Sequence, residues 1–429
     1  MDITALYQIF LGCTGITTDS RNCPEGSLFI ALKGDTFNGN AFAAKALEAG
    51  STYAVVDEAA YAPAGDTRYI LVDNCLHTLQ QLANYHRRQL GTRIIGITGT
   101  NGKTTTKELI SAVLSQKYNV LYTLGNLNNP IGVPLTLLRL TTEHELGVVE
   151  MGASHPGDIK ELVEIAEPDY GIITNVGKAH LEGFGSFEGV IRTKGELYDY
   201  LHRSKGKIFI KEENEYLQSI AKGIEQITYG NGDDAFASGQ VVSCDPFLVF
   251  NWKQQGKLHT VETHMIGSYN LDNVLAAVAV GRFFKIPAER ISRAIAAYEP
   301  TNNRSQFKKT DNNELIIDAY NANPSSMKVA LDNFITMPVQ PKAIILGDMR
   351  ELGPTSDELH AEVVEQIKKG QFDKVFLCGE HFSKVGKEFS PFATTEAMVE
   401  ELRKQPLKGY HILIKGSHSM GLEKLADIL

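Results

Sequence analysis

Hydrophobic and polar positions follow two alternating patterns along the chain. Apolar runs of six or seven residues, rich in Ile and Val, are followed by longer stretches in which apolar residues return every three or four positions. The first pattern predicts buried strands and the second predicts amphipathic helices. Because the two alternate, we expect parallel sheets with crossover helices, which is an α/β fold. The clearest strand segments are residues 93–98, 146–151, 170–176, 342–348, 374–379 and 410–416.

The same patterns divide the chain into three blocks. Residues 1–80 hold two strand candidates, SLFIALKG and YAVVDE, with a helical segment between them. The second block, residues 81–299, begins with a helical stretch, passes through a less regular β-like region at 225–266 and ends in an apolar helix. Pro300 and the asparagines after it interrupt the pattern. The last block, residues 300–429, is a compact series of alternating strands and helices.

Composition and charge exclude several classes of protein. Hydrophobic residues make up 43% of the chain and charged residues 22%, which excludes a mostly disordered protein. The 42 Lys and Arg against 51 Asp and Glu give a net charge of −9, which argues against nucleic-acid binding. No run approaches the ~20 apolar residues that span a bilayer, and the N-terminus lacks the basic start of a signal peptide. Five cysteines without a CxxC pair favour a reducing compartment, so we expect a cytoplasmic protein.

The strongest chemical signal is the segment GITGTNGKTTTKE at residues 96–108. Backbone amides of such a turn point at an anion, Lys103 reaches the terminal phosphates, and the Thr104 hydroxyl can bind Mg²⁺. Ile97 occupies the first glycine position of the generic phosphate-loop motif. The alternative interpretation is a glycine-rich turn without a ligand, which the coincidence of strand, glycines, lysine and hydroxyls disfavours. The predicted ATP-binding residues of this loop are Gly99, Thr100, Asn101, Gly102, Lys103, Thr104 and Thr105.

Three titratable side chains follow later strands of the second block. Glu150 stands at the carboxyl end of LGVVEM, where α/β sheets bind ligands, and either holds a magnesium ion or is an ordinary strand-end carboxylate. His180 follows YGIITNV and is either a metal ligand, an acid–base group or a structural histidine. Lys194 lies near the predicted start of a helix, where a lysine is normally solvated.

Two asparagine-containing turns are candidate binding sites. In GSYNLDNVLAA, Asn270 and Asn273 share one helix face; one can cap the helix, and the other can hydrogen-bond a nucleobase or ribose. In IIDAYNANPSSM, a strand delivers Asp318, which can orient a ribose, a lysine or a substrate. The alternative is a capped turn into a helix that begins near Ser325. The same turn supplies the candidate substrate-binding residues Asn321 and Asn323.

Two further segments offer polar groups to a ligand. Lys415, in LIKGSHSMGLE, and the small residues after it form a second candidate anion nest at a strand end. The run LGNLNNPIGVPLTLL, at residues 124–138, either presents amide groups to an amide-rich or carboxylate ligand or is only a turn. Its candidate substrate-binding residues are Asn126, Asn128 and Asn129.

These motifs, in this order, resemble the Mur ligase family of ATP-dependent amide-bond-forming enzymes. The loop TGTNGKTT, the strand that ends at Glu150, the segment NVGKAH and the lysine after it are similar to the family's central domain. The segment TDSRNCPEGSLFIALKGDTFNGNAF is similar to its uridine-nucleotide-binding domain. The resemblance covers essentially the whole chain. It implies a UDP-substrate domain (1–80), a central ATP-binding phosphate-loop domain with a parallel or mixed sheet (81–299) and a Rossmann-like C-terminal domain (300–429).

Three segments, DAYNANPSSM, LGDMRELG and GNLNNPIGVPLTLL, resemble one branch of the family in particular. That branch joins D-alanyl-D-alanine to a UDP-muramoyl-tripeptide and gives the UDP-muramoyl-pentapeptide precursor of peptidoglycan. The resemblance implies that the tripeptide carboxylate attacks the γ-phosphorus of ATP and that the dipeptide amine then displaces phosphate from the acyl phosphate. Three domains around one cleft require no partner chain, so we expect a monomer.

The resemblance also implies roles for individual residues. Thr104 and Glu150 hold one Mg²⁺, and His180 helps to hold a second. Lys194 matches the lysine that family members carry as a carbamate, a modification that turns a cation into a carboxylate-like anion. The catalytic set is therefore Lys103, Glu150, His180 and Lys194. Around it, Asn270 and Asn273 face adenine and ribose, Arg304 and Lys415 steady phosphate charge, and Asp318 orients Arg304 or a ribose.

Three positions depart from the family pattern. Tyr269 stands where the helix-start motif usually has histidine, and His418 stands where the last-domain motif Lys-Gly-Ser-Arg has arginine. In the first block, Asp35 gives no match to a sugar contact. Ser20 is therefore the candidate contact to the UDP substrate.

Four alternative functions can be weighed on the sequence. The ligase that adds the third peptide residue usually carries an Asp-Asn-Pro-Arg motif, which this chain lacks. A folylpolyglutamate synthetase relative would lack the UDP-binding segment. A nucleotide-binding regulator that has lost catalysis would have replaced Lys103, Glu150 or His180, all of which are present. A plain phosphate-loop ATPase would not need the two outer domains.

Overall fold

A computed structural model describes residues 2–301 and 303–429 of the chain. Each of the three predicted blocks is built on its own sheet, and a short hairpin accompanies the first. All six strand segments predicted above form strands, and each has at least one parallel neighbour. The predicted α/β class is confirmed.

The first block is a small parallel sheet with helices against it. Its strands lie in the order Ile16–Thr17, Leu28–Ile30, Tyr53–Val56 and Tyr69–Leu71. Their pairings are all parallel, and Leu28, Phe29 and Ile30 are buried on both faces of the sheet, as a parallel strand requires. The remaining elements are helices Ile3–Leu11 and Ala43–Glu48, the 3₁₀ turns Gly39–Phe42 and Ala59–Tyr61, and the hairpin of Lys33–Gly34 with Phe37–Asn38.

The helix Cys75–Leu90 connects the first block to the second. Its start is fixed by Asn74, whose side chain accepts the His77 N–H at 2.8 Å. Its end is fixed by Gly91, which takes the left-handed conformation (φ +64°) that a residue with a Cβ adopts only at a cost.

This helix packs on both blocks at once. The Tyr7 hydroxyl of the first block lies 3.2 Å from a ring nitrogen of His86, while the Asn84 amide donates to the Ile165 carbonyl of the second block at 2.9 Å. The predicted division between residues 80 and 81 therefore falls inside one continuous helix.

The second block is built on a nine-stranded mixed sheet. From one edge to the other its strands are Val120–Tyr122, Leu146–Glu150, Arg93–Thr98, Tyr170–Ile173, Lys207–Lys211, Glu225–Gly230, Ala237–Cys244, Phe247–Gln254 and Lys257–Ile266. The pairings are parallel from the first of these to Ala237–Cys244, and the last three strands form an antiparallel meander. The irregular β-like region predicted at 225–266 comprises this meander and the parallel strand Glu225–Gly230 before it. At its last turn, Gln255 (φ +50°) and Gly256 (φ +78°) supply the two left-handed residues typical of a tight hairpin.

Helices cover both faces of this sheet. The helix Leu271–Phe283 packs against Lys103–Leu114, and its residues from Val274 to Val280 are all buried. A helix that is apolar on every side belongs in a core, which is why its sequence shows no polar face. The other helices of the block are Gly132–Leu137, Asp158–Ala166, Leu181–Phe184, Phe187–Ser204, Glu215–Ile220 and Ala288–Ala296.

The last block is a five-stranded sheet in the order Gln306–Lys309, Glu314–Asp318, His411–Lys415, Lys342–Gly347 and Lys374–Cys378. Only the first pairing is antiparallel, so the predicted Rossmann-like arrangement is confirmed. Its helices are Pro324–Thr336, Ser356–Lys369, Glu380–Val385 and Thr395–Lys404, with short 3₁₀ turns at Gly353–Thr355, Lys387–Phe389, His418–Met420 and Leu422–Asp427. Across residues 2–301 and 303–429, every helix is too short or too polar to cross a bilayer.

Candidate active site

The carboxyl ends of strands from the second and last blocks face one cavity of about 800 Å³. Ligands of α/β sheets bind at this edge, where loops leave the strands. Most of the predicted site residues line this cavity. They are Thr100, Asn101, Gly102, Lys103, Thr104, Thr105, Asn128, Asn129, Glu150, His180, Asn270, Asn273, Arg304, Asp318, Asn321 and Lys415.

The glycine-rich loop between strand Arg93–Thr98 and helix Lys103–Leu114 can accept only glycine at two positions. Gly99 has φ +143°, and a Cβ there would lie 2.0 Å from the Thr174 hydroxyl. Gly102 has φ +77°, and a Cβ there would lie 2.7 Å from the Asn273 carbonyl oxygen. The loop is therefore tightly packed from behind, and its backbone is preorganised to receive an anion.

Lys103 opens the helix that follows this loop. Its ammonium donates to the backbone carbonyls of Gly99 at 2.9 Å and Thr100 at 3.1 Å. Burial lowers its pKa, and the nearby Arg304 acts in the same direction, while Glu150 opposes them. A phosphate would offer this ammonium stronger, charge-assisted bonds than two carbonyls do.

Glu150 connects the phosphate loop to the asparagine-rich run. One carboxylate oxygen accepts the Thr104 hydroxyl at 2.9 Å, and the other accepts the Asn128 amide at 2.8 Å. The side chain is 1% exposed. Glu150 is thus tied to the loop that precedes it by 46 residues, unlike a free strand-end carboxylate.

His180 lies where the second and last blocks meet. It takes a left-handed conformation (φ +49°) just before the helix Leu181–Phe184, and its Nδ1 contacts the carboxylate of Glu351. Burial lowers the pKa of His180, and Lys103 and Lys194 add to that effect, while Glu351 opposes it. The neutral ring, which is the form that binds metals, is favoured.

Lys194 is buried, so the prediction of a solvated lysine near a helix start is wrong. It occupies the middle of the helix Phe187–Ser204 and is 2% exposed. Its ammonium lies 3.5 Å from the Ala153 carbonyl and 5.4 Å from the centre of the Phe184 ring. Burial, reinforced by Lys103, holds its pKa well below the ordinary value for lysine. The sequence misses this because the apolar residues that cover it belong to other elements.

Asn270 and Asn273 hydrogen-bond to each other, and Asn270 does not cap the helix as one prediction has it. Asn270 is at the start of the helix Leu271–Phe283 but makes no capping bond; its amide donates to the Ile266 carbonyl at 2.8 Å. The Asn273 amide donates to the Asn270 side-chain oxygen at 2.8 Å. Each asparagine thus fixes the other's orientation at the cavity wall, so the capping interpretation is wrong.

Asp318 and Lys415 form a buried ion pair in the last block. Their carboxylate oxygen and ammonium nitrogen are 2.5 Å apart, and Lys415 is 1% exposed. Of the three partners suggested for Asp318, a lysine is the one observed. The guanidinium of Arg304 lies 3.9 Å from the centre of the Tyr320 ring, a stacking contact that holds it beside the cavity.

Asn323 performs two tasks at the start of the helix Pro324–Thr336. Its oxygen accepts the Ser326 N–H at 2.9 Å, so the capped turn predicted near Ser325 is confirmed. Its amide donates to the Asn101 side chain at 2.8 Å. The last block thus touches the phosphate loop directly.

Five predicted site residues are not part of the cavity lining: Gly99, Lys194 and Asn323, described above, and Ser20 and Asn126. Ser20 is half-buried in the first block, and Asn126 is exposed in the turn before helix Gly132–Leu137. Asn129, at the cavity rim, accepts the Gly132 N–H at 2.8 Å and so begins that helix. Binding roles for Ser20, Asn126 and Asn129, like those of the other predicted site residues, stay predictions.

Sequence comparison covers all three blocks. Three protein-family models match the chain. The family model described as "Mur ligase family, catalytic domain" matches residues 13–87, the one described as "Mur ligase middle domain" matches 97–281, and the one described as "Mur ligase, glutamate ligase domain" matches 303–418. The chain belongs to the Mur ligase family. The phosphate loop, Glu150 and His180 lie in the middle-domain match, and Arg304, Asp318 and Lys415 lie in the last.

Relatives within the family match over nearly their whole length. The UDP-N-acetylmuramoyl-tripeptide–D-alanyl-D-alanine ligase of Bacillus subtilis is 36% identical over 97% of this chain and 93% of that protein, and the Escherichia coli ligase of the same name is 32% identical over 96% and 93%. A crystal structure of MurF from Acinetobacter baumannii superposes with a TM-score of 0.88 at 28% identity, over 99% of this chain and 98% of that one. A MurF ligase from Thermotoga maritima in complex with ADP gives 0.86 at 26% identity, over 98% and 97%.

The residues of this Mur ligase fit the magnesium ion that the family implies. Mg²⁺ prefers oxygen ligands and is usually held by one or two carboxylates together with phosphates and water. Thr104 and Glu150 supply a hydroxyl and a carboxylate at one place on the cavity wall. Across 2–301 and 303–429, no group of three or more His, Cys, Asp and Glu side chains could hold a metal alone. An ion shared with nucleotide phosphates therefore fits.

Sequence reasoning missed several cavity residues of this Mur ligase. Asn175 supports the phosphate loop by accepting the Asn101 N–H at 3.0 Å, and Tyr320 stacks on Arg304. Asn175 belongs to the segment NVGKAH and Tyr320 to DAYNANPSSM. Membership of these segments was therefore the sequence signal that could have found both residues. Glu351 lies in LGDMRELG, which carried the resemblance without a residue role.

Proposed function

We propose that this Mur ligase joins D-alanyl-D-alanine to a UDP-N-acetylmuramoyl-tripeptide at the expense of ATP. The observation that carries the proposal is the cavity itself. It combines a phosphate loop from the second block with charged groups of the last block, within a chain that matches ligases of that name from end to end. The product is the UDP-muramoyl-pentapeptide, a precursor of peptidoglycan.

The first step must bring two anions together. The tripeptide carboxylate attacks the γ-phosphorus of ATP, and ADP leaves, so an acyl phosphate forms. Lys103 and the loop amides hold the polyphosphate, and Arg304 steadies charge from the other side of the cavity. Thr104 and Glu150 would hold Mg²⁺, which would supply further positive charge to offset that of the phosphates.

The second step is attack by the dipeptide amine on the acyl carbon. A tetrahedral intermediate forms and then expels inorganic phosphate, which leaves the new amide. Water would destroy the acyl phosphate, so the cavity has to be closed while the amine approaches. The Asn323–Asn101 contact and the His180–Glu351 contact both close it from the last block.

The buried amine of Lys194 is assigned a role as a carbamate. A buried amine with a lowered pKa is a nucleophile for carbon dioxide, and the resulting carbamate is an anion. As a carbamate, Lys194 would join His180 in holding a second Mg²⁺; as an ammonium, it would repel that ion. This assignment depends on its burial and on its family position.

The first block completes the division of labour. We assign the UDP end of the substrate to residues 1–80, with Ser20 as the candidate contact, adenine and ribose to Asn270 and Asn273, and the tripeptide and dipeptide to the asparagines of 126–129 and 321–323 and to Lys415. We expect a monomer that works in the cytoplasm. Light scattering of the purified protein would measure its mass directly.

Phosphate release from ATP tests the proposal. It should require both a UDP-muramoyl-tripeptide and D-alanyl-D-alanine, and supplying tripeptides with diaminopimelate or lysine in parallel identifies the preferred third residue. Fast turnover with a free amino acid instead of the dipeptide would contradict the assignment. Turnover with a UDP-muramoyl-dipeptide and a diamino acid would favour the third-residue ligase.

A further inference from the structure

The segment 348–353 of the last block meets the second block at His180. The Glu351 carboxylate contacts His180 Nδ1, and the backbone carbonyl of Glu351 accepts the Glu182 N–H at 3.5 Å. Both Glu351 and His180 line the cavity. Two side chains 171 residues apart in the sequence are thus joined at the edge of the reaction site.

The segment that carries Glu351 is anchored from inside the last block. Asp348 is fully buried, and its carboxylate accepts the N–H groups of His381 at 2.9 Å and Phe382 at 3.0 Å. The buried ring of His360 accepts the Met349 N–H at 3.0 Å. These bonds fix the first half of the segment.

A second set of contacts fixes the rest of it. The Ser417 hydroxyl accepts the Arg350 N–H at 3.1 Å. Glu351 itself has φ +61°, a left-handed conformation that non-glycine residues adopt only where their surroundings require it. The Glu351 side chain is therefore presented outward from a rigid support, with 58% of it exposed.

The residues after His180 pack across the junction against the last block. His180 also has a left-handed conformation, and Leu181 after it packs against the apolar core of the last block. The helix Leu181–Phe184 lies against the turn Gly353–Thr355. The two strained residues face each other across a packed junction, so their relative position is well defined.

We propose that Glu351 is a positioning residue for His180, an inference that rests on the proposed function. Its carboxylate accepts the Nδ1 proton, which leaves the lone pair of Nε2 free for the ion that accompanies the nucleotide. Metal-binding histidines commonly donate their other ring N–H to a carboxylate, which fixes both tautomer and ring orientation. Here the carboxylate comes from a different block.

One consequence follows for the order of events. His180 acquires its orienting partner only when the last block lies against the second. Closure and correct presentation of a metal ligand are then the same event, so an open enzyme would bind magnesium and nucleotide with one ligand poorly oriented.

Magnesium affinity measured by calorimetry tests this proposal. Mg²⁺ is titrated into the full-length protein saturated with a non-hydrolysable ATP analogue. Glu351→Ala should weaken Mg²⁺ binding by about 10- to 100-fold. Glu351→Gln should retain most of the affinity, because its carbonyl oxygen can still accept the Nδ1 proton. The matched control is Glu362→Ala, an exposed glutamate of the same block, which should bind like the wild type.

A double-mutant cycle separates positioning from docking. In a His180→Ala background, Glu351→Ala should cause no further loss of Mg²⁺ affinity, since it acts through the ring. If Glu351→Ala binds Mg²⁺ as tightly as the wild type, or if Glu351→Gln fails as completely as alanine, the contact is a docking ion pair and the proposal is wrong. Thermal unfolding of each variant verifies folding.

The proposed function can fail separately. The wild-type protein of the same preparation is assayed for dipeptide-dependent phosphate release. Absence of that release contradicts the ligase assignment, whereas normal release together with unchanged Mg²⁺ affinity in Glu351→Ala contradicts only the positioning role.

Discussion

The two walls of the cavity are built in opposite ways. On the phosphate-loop wall, Lys103 bonds to carbonyls three and four residues before it. On the closing wall, Asn323 meets the loop across 222 residues of sequence and Glu351 meets His180 across 171. The first wall forms with the second block alone, whereas the contacts of the closing wall exist only when the last block is in place.

This difference separates two kinds of task. A wall made from local contacts can bind a polyphosphate at any stage of turnover, because its geometry does not wait for another block. A wall made from distant contacts can admit substrates, close and open again. Substitutions on the first wall should therefore affect chemistry most, and those on the second should affect affinity and closure.

The largest effect should come from Lys103→Ala. It removes the ammonium that we assign to the terminal phosphates, and loss of such a group costs about 10²–10³-fold in turnover. Phosphate release measured at saturating ATP is the readout. Lys222→Ala, an exposed lysine of the same block outside the cavity, is the matched control. Turnover of Lys103→Ala within a few-fold of the wild-type value would show that Lys103 of the phosphate-loop wall does not take part in the chemistry.

The next effect should come from Lys194→Ala. If Lys194 is the proposed metal-binding carbamate, its loss should reduce turnover by about 10²-fold, and acetate should restore part of the rate by entering the space left behind. The rate is measured with increasing acetate, and chloride at equal ionic strength is the control. Full activity without acetate would exclude Lys194 from the metal site.

A smaller effect is expected on the closing wall. Asn323→Ser keeps the helix cap, because serine also accepts the Ser326 N–H, but it is too short to reach Asn101. Loss of that one hydrogen bond, roughly 1 kcal/mol, should weaken binding of an ATP analogue about fivefold. Unfolding temperature should stay close to that of the wild type. An unchanged affinity would show that the interblock bond does not stabilise the closed form.

The smallest effect concerns His86, which belongs to neither wall. Burial lowers its pKa below the ordinary 6.5. The unfolded chain therefore binds a proton more readily, so its contribution to stability is complete above about pH 6.5 and is lost as the pH falls through the folded-state value. His86→Gln should flatten the decline of unfolding temperature in acid without changing ATP-analogue affinity. An identical decline in both proteins would contradict this.

The phosphate-loop wall could be predicted from sequence, whereas for the closing wall only residues could be predicted and not their contacts with the second block. Strand, glycines and Lys103 are consecutive, so their arrangement follows from backbone chemistry alone. The burial of Lys194 depends on which elements cover its helix, and that cannot be read from the residues beside it. The contact of Glu351 with His180 could not be predicted, because it depends on two residues of left-handed conformation, in separate blocks, lying face to face.

The helix Cys75–Leu90 has a consequence for how the molecule comes apart. Its buried Leu79 and Leu82 and its polar contacts belong to the cores and surfaces of two blocks at once. The first block therefore cannot lose its structure without exposing part of the second, and the two should melt as one cooperative unit. Thermal unfolding should then show two transitions instead of three. One is the joint unfolding of the first and second blocks, and the other is the unfolding of the last block, which does not share this helix.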